Sequence, residues 1–166
     1  KLGDPLDEST DIGPLARPGF KSQAKEQVER SLAMGAKLVY GSTGDGNFVH
    51  PTILSRLNTK MPVFTEEVFA PVASVFVYDN FEEAVTLSNQ SPFGLGVSLI
   101  GEDVTFLMAQ AGKFEEGAVF INELVKSDPR LPFGGVKNSG YGRELGPEGL
   151  ISFTNLKTIY RKDNLQ

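Results

Sequence analysis

The chain has 166 residues and 40% hydrophobic content, which suffices for one ordinary domain with a core and excludes a disordered chain. A formal net charge of -5 and scattered lysines argue against nucleic acid or an anionic membrane surface as a partner. There is no cysteine, which excludes disulfides and thiolate metal sites. With no apolar run of roughly 18 residues and no signal-peptide pattern, we expect a soluble protein with the cytoplasm as the default location.

The first part of the chain predicts one long helix and short strands. An amphipathic helix is predicted to begin at Pro18, because apolar residues then recur every four positions, and to end at Gly35. Short strands are predicted over 37–40 and 48–57. Between them, the glycine-rich segment 41–46 resembles a phosphate loop, but no helix follows it to bind a phosphate, so we interpret it as a surface turn.

The following part predicts alternating strands and helices. Residues 72–78 form a nearly continuous β-branched and aromatic run, typical of a central strand covered on both faces. The helix that follows is predicted to be capped by Asp79 or Asn80. The other predicted elements are a strand at 94–100, a helix at 102–111, a strand at 117–122, a short helix at 147–153 and a terminal strand at 155–161. Strands joined by helical crossovers are parallel, so we predict an α/β fold with an open, mainly parallel sheet and flanking helices.

The terminal strand at 155–161 follows a sheet that is already complete. Its exposed edge would allow another chain to pair with it. Periodicity alone leaves open the alternative that the strand pairs back within its own domain.

The segment Thr65-Glu66-Glu67-Val68-Phe69 is the first candidate for binding a ligand. It lies immediately before the predicted strand at 72–78, where ligands commonly meet open α/β sheets. A carboxylate at this position can accept hydrogen bonds from a diol such as a ribose. The residues alone favour a second interpretation, in which Glu66 and Glu67 are solvated loop charges.

The segment 123–147 is the second candidate, because its Gly and Pro content and weak periodicity are typical of a long functional loop. Phe133 could line an apolar pocket for a carbon chain, or simply pack in the core. Arg143 and Glu144 follow a tight turn, and we interpret them as a partly buried ion pair that closes the loop.

The same loop contains a hydroxyl close to two cations. Lys126, Ser127 and Arg130 together suit a substrate that bears a carboxylate. The alternative is a solvated loop in which Asp128 neutralises one of the cations. The single histidine, His50, has no cysteine or carboxylate cluster around it in the sequence, so we predict neither a metal site nor a Ser-His pair.

Two segments together resemble the C-terminal end of the aldehyde dehydrogenase family, namely Glu66-Glu67-Val68-Phe69-Ala70-Pro71-Val72 and Leu131-Pro132-Phe133-Gly134-Gly135-Val136-Lys137-Asn138-Ser139-Gly140-Tyr141-Gly142-Arg143-Glu144-Leu145. The resemblance runs from Gly3 to Thr158, and residues 122–133 are most similar to succinate-semialdehyde dehydrogenases of bacteria and archaea. It implies oxidation of an aldehyde, through a cysteine thioester, to the carboxylic acid, with NAD or NADP as cofactor. It also implies that the nucleophilic Cys, the general-base Glu and the cofactor-binding domain lie upstream of Lys1, so the chain alone is predicted to be inactive.

The resemblance implies cofactor contacts in the first candidate segment. Glu67 would bind the nicotinamide ribose, and Phe69 would border the nicotinamide. Ala70 stands where the family usually has Gly, and Ala resists a positive φ. Asn122 and Lys137 also fit the family pattern and are interpreted as scaffold.

The resemblance also implies substrate contacts in the loop. Phe133 would flank the substrate, and Ser127 would hydrogen-bond the substrate carboxylate, which makes succinate semialdehyde the expected substrate. Arg130 and Lys126 are further candidates for that carboxylate. Glu144 would have a secondary role as a proton relay.

We accordingly assign residues 1–146 to part of a catalytic domain and 147–166 to a short helix and an oligomerisation strand, since the family uses its last strand to extend a sheet across a subunit interface. The expected partners are a small-molecule aldehyde, the rest of the enzyme's own chain, and further copies of the enzyme in a homo-oligomer, which could be a dimer or a tetramer. The lack of an initiator Met also suggests that this chain is a fragment. Two alternatives stay open, a non-catalytic binding or assembly module and a dehydrogenase for an uncharged aldehyde. The choice between NAD and NADP depends on residues outside this chain.

Overall fold

The structure, a computed structural model, describes residues 1–42 and 46–162. The chain divides into two units, Lys1–Ser91 and Pro92–Gln166. The middle of the predicted turn at 41–46 and the end of the predicted segment 147–166 lie outside the described residues. Within the described ranges, no helix is both long enough and apolar enough to cross a membrane.

The first unit packs one long helix against a small sheet. Its elements are α1 (Pro18–Ala33), β1 (Lys37–Tyr40), β2 (Thr52–Ser55), α2 (Pro62–Thr65), β3 (Val72–Ser74) and α3 (Phe81–Asn89). Helix α1 begins at Pro18, as predicted, because the fixed φ of proline suits a first helical turn. Gly35 follows its end with a φ of 102°, a conformation that glycine adopts without strain. The core cluster of this unit contains Leu54 and Met61, which are almost fully buried.

Strand β3 is shorter and less buried than predicted for the run at 72–78. The strand order is β1-β2-β3, so β2 is central and β3 lies at the edge of the sheet. Beyond the strand, Val77 is 84% exposed. The prediction of a central, doubly covered strand was therefore wrong, because burial depends on the elements that cover a strand and composition alone does not report them.

The cap of α3 confirms the prediction made for Asn80. The Asn80 side chain accepts a hydrogen bond from the Glu83 backbone N–H at 3.0 Å. The Glu83 carboxylate in turn accepts from the Asp79 backbone N–H at 2.8 Å. The first bond satisfies a donor that the first turn of a helix leaves free, and the second ties the residue before the cap to that turn.

The second unit contains a parallel β-α-β unit and a short antiparallel ladder. Its elements are β4 (Phe93–Gly94), β5 (Val97–Leu99), α4 (Val104–Gln110), β6 (Val119–Ile121), β7 (Val136–Lys137) and α5 (Gly146–Ile151). Strands β5 and β6 pair in parallel and are joined through α4, which confirms that predicted crossover. Leu99 and Leu107 form part of the buried core. Strands β4 and β7 are antiparallel, so β7 leads the long loop back onto the unit.

The α/β fold class is confirmed, but the described strands do not form one continuous sheet. The strands of the described residues form three small sheets, with two parallel and two antiparallel pairings. Parallel neighbours need a long crossover, usually a helix, and the described residues between β1 and β2 include none. That pair is accordingly antiparallel. The predicted division at residue 146 stays a prediction.

The segment predicted as a terminal strand is not a strand in this single chain. Residues 155–160 have no assigned secondary structure and are exposed, with Ile159 87% exposed. A strand needs backbone hydrogen bonds from a neighbour, and the described part of the chain supplies none to these residues. Pairing within the same domain, the alternative left open by the sequence, is not observed either.

Candidate functional site

The loop between α2 and β3 separates the roles of two adjacent glutamates. The Glu66 carboxylate accepts hydrogen bonds from Gln27 Nε2 and from Arg30 Nη1, both at 3.1 Å. The Glu67 carboxylate is exposed and accepts no hydrogen bond from the described residues. Gln27 Nε2 instead donates to the Glu67 backbone carbonyl at 3.1 Å. Glu66 is therefore held against α1, and Glu67 is free to bind a ligand.

Phe69 is held in the same loop by an aromatic contact. Its ring stacks on Phe20, with centroids 5.2 Å apart and an interplanar angle of 17°. Even so, Phe69 is 51% exposed. The Arg17 guanidinium lies 5.6 Å from the Phe20 centroid, a distance at which a cation is attracted to the ring. The loop that contains Glu67 thus also holds an oriented, half-exposed aromatic ring.

Ala70 fits its position without strain. Its backbone N–H donates to the Val68 carbonyl at 2.9 Å, and Ala70 is not among the described residues with a positive φ. The conformation that Ala would resist is therefore not required here. The loop can present Glu67 and Phe69 with Ala at the family's usual Gly position. An exposed carboxylate and an aromatic ring in one loop are groups suited to the ribose and nicotinamide of NAD or NADP, which the sequence led us to expect.

Backbone hydrogen bonds close the long loop of the second unit. The Phe133 N–H donates to the Glu144 carbonyl, and the Glu144 N–H donates to the Phe133 carbonyl, both at 2.8 Å. Arg143 Nη1 donates to the carbonyls of Gly135 and Gly142, at 3.1 and 2.7 Å. The predicted ion pair between Arg143 and Glu144 was wrong, because the guanidinium satisfies turn carbonyls that would otherwise lack a donor.

The glycines of this loop allow the backbone to pack closely. A Cβ on Gly134 would lie 2.5 Å from the Gly142 carbonyl oxygen, and a Cβ on Gly135 would lie 2.5 Å from Ser139 Cβ. Ser139 Oγ also accepts a hydrogen bond from the Gly94 N–H at 3.0 Å. The loop is therefore fixed at several points despite its lack of regular structure.

Asn122 and Lys137 make contacts that suit the scaffold role expected for them, and that role stays a prediction. The Asn122 side chain accepts from the Gly101 N–H at 2.9 Å and donates to the Gly101 carbonyl at 2.8 Å. Lys137 Nζ lies 2.9 Å from the Glu115 carboxylate. Both Asn122 and Lys137 have a positive φ, so these contacts hold an unusual backbone conformation.

Both cations near Ser127 are paired with acids of the same loop. Lys126 Nζ donates to the Glu123 carboxylate at 2.7 Å. Arg130 Nε and Nη2 donate to the Asp128 carboxylate at 2.9 and 2.6 Å. The Arg130–Asp128 contact is the one expected in the alternative interpretation, and the role of Ser127 stays a prediction. Ser127 lies exposed between the two pairs and makes no hydrogen bond within the described residues.

The ion pairs of this loop also shift the pKa values of its acids. Hydrogen bonds from the Arg130 side chain and backbone hold the pKa of Asp128 well below its ordinary value. The pKa of Arg130 is raised by the same contact. The Lys126 ammonium lowers the pKa of Glu123. Lys126, Glu123 and Arg130 are exposed and Asp128 is half-buried, so solvent limits what the pairs contribute to stability.

An open cavity of about 770 Å³ lies between the long loop and α5 in the second unit. Phe133 and Glu144 line it, together with the exposed ring of Tyr141. Lys126, Ser127 and Arg130 do not line it. The structure therefore brings Phe133 and Glu144 together, and it does not bring the predicted carboxylate-binding residues to the same cavity.

Sequence reasoning missed Gln27 and Phe20. The apolar period of four placed Ala24 and Val28 on the buried face of α1, whereas the most buried residues of α1 are Ala24, Gln27 and Ser31. Gln27 and Ser31 lie three and seven positions after the apolar Ala24, and this helical spacing was the signal that could have identified the face.

Comparisons with known proteins identify the family to which this chain is similar. A model of the aldehyde dehydrogenase family matches residues 1–159. A probable NADP(+) succinate-semialdehyde dehydrogenase from Synechocystis sp. is 45% identical over 96% of this chain and 36% of its own length. A succinate semialdehyde dehydrogenase [NAD(P)+] of Escherichia coli is 42% identical over 97% of this chain and 36% of its own length.

Solved structures give the same result. The succinic semialdehyde dehydrogenase of Streptococcus pyogenes, in complex with NADP+, matches with a TM-score of 0.92 and 40% identity, over 98% of this chain and 36% of that chain. A betaine aldehyde dehydrogenase of Staphylococcus aureus, in complex with NAD+, matches with a TM-score of 0.86 and 33% identity, over 92% of this chain and 32% of that chain. This chain spans 36% of the length of the curated relatives it matches, and it belongs to the aldehyde dehydrogenase family.

Proposed function

We propose that this chain is the C-terminal part of an NAD(P)-dependent aldehyde dehydrogenase that oxidises succinate semialdehyde to the dicarboxylic acid through a cysteine thioester. The observation that carries the proposal is an exposed Glu67 carboxylate with no hydrogen bond within the described residues, in the same loop as the half-exposed Phe69 ring. The names of the similar proteins support the substrate assignment. The chain has no cysteine, so the nucleophile belongs to the rest of the enzyme, where the resemblance to the family also puts the general base.

Glu67 and Phe69 act on the cofactor. When bound, NAD(P)+ supplies the hydride acceptor. The Glu67 carboxylate accepts hydrogen bonds from the ribose hydroxyls, and charge-assisted bonds of this kind are stronger than neutral ones. Phe69, held by its stack on Phe20, limits the positions that the nicotinamide ring can take.

Ser127 recognises the substrate carboxylate in this proposal. Its hydroxyl is exposed and has no competing partner among the described residues. Lys126 and Arg130 remain further candidates, through donors that Glu123 and Asp128 leave unused. An unpaired cation would attract many kinds of anion. Because Lys126 and Arg130 are paired with acids, the choice of substrate depends more on the hydrogen bond from Ser127.

Phe133 and Glu144 are assigned to the reacting end of the substrate. Phe133 supplies an apolar wall, and its position is fixed by the two backbone hydrogen bonds to Glu144. The Glu144 carboxylate is exposed and has no hydrogen bond within the described residues, which leaves it able to relay a proton as a secondary role.

The end of the chain is assigned to subunit assembly in a homo-oligomer. Residues 1–146 belong to the catalytic domain, and 147–166 form a short helix and an oligomerisation strand. The support is an exposed apolar segment, with Leu156, Ile159 and Tyr160, whose backbone has no hydrogen-bond partner among residues 1–42 and 46–162. A strand from a second subunit would cover these side chains and supply the missing backbone hydrogen bonds. We assign the enzyme to the cytoplasm by default.

Steady-state kinetics of the full-length enzyme that contains this chain test the proposal. We expect NAD(P)+ reduction with succinate semialdehyde at a kcat/KM well above that for butyraldehyde, which has the same chain length and no carboxylate. Equal values for the two aldehydes would favour a dehydrogenase for uncharged aldehydes. No oxidation of any aldehyde would favour a non-catalytic binding or assembly module.

A further inference from the structure

One face of α1 carries polar residues into the interior of the first unit. Ala24, Gln27 and Ser31 are spaced three and four positions apart, so they lie on the same side of the helix, and all three are buried. Ser31 Oγ donates to the Gln27 carbonyl at 2.8 Å and accepts from the Val63 N–H at 3.3 Å. Ser31 thus links α1 to α2, and Gln27 lies one turn earlier, facing the loop that contains Glu67.

Gln27 uses its amide to hold that loop. Its side chain is 1% exposed, and Nε2 donates to the Glu67 carbonyl and to the Glu66 carboxylate, both at 3.1 Å. Arg30, one turn further along, donates to the second Glu66 oxygen at 3.1 Å. We call Gln27 and Arg30 the α1 anchor. The anchor fixes a backbone atom of Glu67 itself and the side chain of its neighbour.

The backbone conformation at Glu66 and the contacts of the α1 anchor together determine which way the Glu67 side chain points. Glu66 has φ -120° and ψ 146°, which is an extended conformation. In extended backbone, successive side chains point to opposite sides. Because the anchor holds the Glu66 side chain towards α1, the Glu67 side chain is directed away from α1 and into solvent.

We propose that Gln27, supported by Arg30, is a positioning residue for cofactor binding, because it fixes the backbone from which the Glu67 carboxylate meets the ribose. The inference rests on the proposed function of Glu67. Gln27 does not touch the cofactor; it acts through the Glu67 carbonyl and the Glu66 carboxylate.

Substitution of Gln27 by Met in the full-length enzyme tests this inference. Met has nearly the same length and volume but cannot donate a hydrogen bond, so the core contact is kept and the loop is released. We expect the Kd for NAD(P)+ to rise about three- to tenfold, as for the loss of one or two buried hydrogen bonds, with the KM for succinate semialdehyde unchanged. Gln23→Met is the matched control, because Gln23 lies one turn earlier on α1 and is exposed. It should leave the cofactor Kd unchanged.

A double substitution separates this inference from the proposed function. If Gln27 acts through Glu67, then Glu67→Gln combined with Gln27→Met should bind the cofactor no more weakly than Glu67→Gln alone. A cofactor Kd of wild-type value in Glu67→Gln would remove Glu67 from the site and contradict the proposed function itself. Two outcomes would overturn only the positioning role, provided that Glu67→Gln itself weakens cofactor binding. In the first, Gln27→Met leaves the cofactor Kd unchanged. In the second, the effects of the two substitutions on the cofactor Kd are fully additive.

If Gln27→Met does not yield folded enzyme, Arg30→Met provides the same test at an exposed position. The Arg30 side chain is 52% exposed, so its replacement should not unfold the unit. It releases one oxygen of Glu66, and we expect a rise in the cofactor Kd of about twofold. A Kd unchanged from wild type in a folded Arg30→Met enzyme would count against the anchor.

Discussion

Replacing Ser127 by Ala tests how the enzyme recognises its substrate. Ser127 is exposed and makes no hydrogen bond within the described residues, so removing its hydroxyl should leave the fold and the neighbouring ion pairs intact. If the hydroxyl binds the substrate carboxylate, the change removes a hydrogen bond to a charged group. Such a bond contributes about 1.5–3 kcal/mol, so kcat/KM for succinate semialdehyde should fall roughly 10- to 100-fold.

The assay compares two aldehydes in the full-length enzyme. Butyraldehyde has the same chain length without the carboxylate, so its kcat/KM should be nearly unchanged in Ser127→Ala. Ser22→Ala removes another exposed hydroxyl, from α1, and should change neither value. Equal losses for the two aldehydes would refute the reasoning, because they would indicate a general disturbance of the loop near Phe133.

Four further predictions follow from the same structure. The isolated chain should show no NAD(P)+-dependent oxidation of succinate semialdehyde, and turnover by homogeneous chain would contradict the assignment of the nucleophile elsewhere. Glu67→Gln in the full-length enzyme should slow single-turnover hydride transfer or weaken cofactor binding, because an amide is a poorer acceptor than a carboxylate. Arg130→Gln should raise the pKa of Asp128 towards its ordinary value, as measured in a carboxyl NMR titration of the chain. In wild type the pKa of Asp128 is lower in the folded state than in the unfolded state. Its contribution to stability is therefore present above the unfolded-state pKa and is lost as the pH falls through the folded-state pKa. Gly135→Ala should lower the free energy of unfolding by about 1–3 kcal/mol in thermal denaturation, because its Cβ would overlap a neighbouring side chain, whereas Gly19→Ala, with open space, should not.

The elements predicted well from sequence are those fixed by local signals. Pro18 begins α1, and Asn80 caps α3 through Glu83, three residues away. The β5-α4-β6 unit also follows from neighbouring segments of the chain. In each case the atoms that determine the structure are close in sequence, so the pattern of residues reports them directly.

The features that were not predicted depend on distant partners. The run at 72–78 has the composition of a covered strand, yet β3 has a hydrogen-bonded neighbour on one side only. Residues 155–160 have strand-like periodicity and no partner within the described residues. Arg143 was expected to pair with the adjacent Glu144, but it satisfies backbone carbonyls created by the turn itself. Composition identifies what a segment can form, and the rest of the fold determines whether it does so.

The adjacent residues Glu66 and Glu67 show why both the sequence and the contacts in the structure are needed to identify the candidate site. The two residues have the same chemistry and adjacent positions, so sequence physics alone could not tell which one binds a ligand. The structure distinguishes them through Gln27, which lies 39 residues before Glu66 in the chain. Because α1 holds the Glu66 carboxylate, and the Glu67 carboxylate has no hydrogen bond within the described residues, Glu67 is the better candidate to receive hydrogen bonds from a cofactor. The resemblance to the family also implied the second glutamate, and the contacts of α1 give a physical reason for that choice.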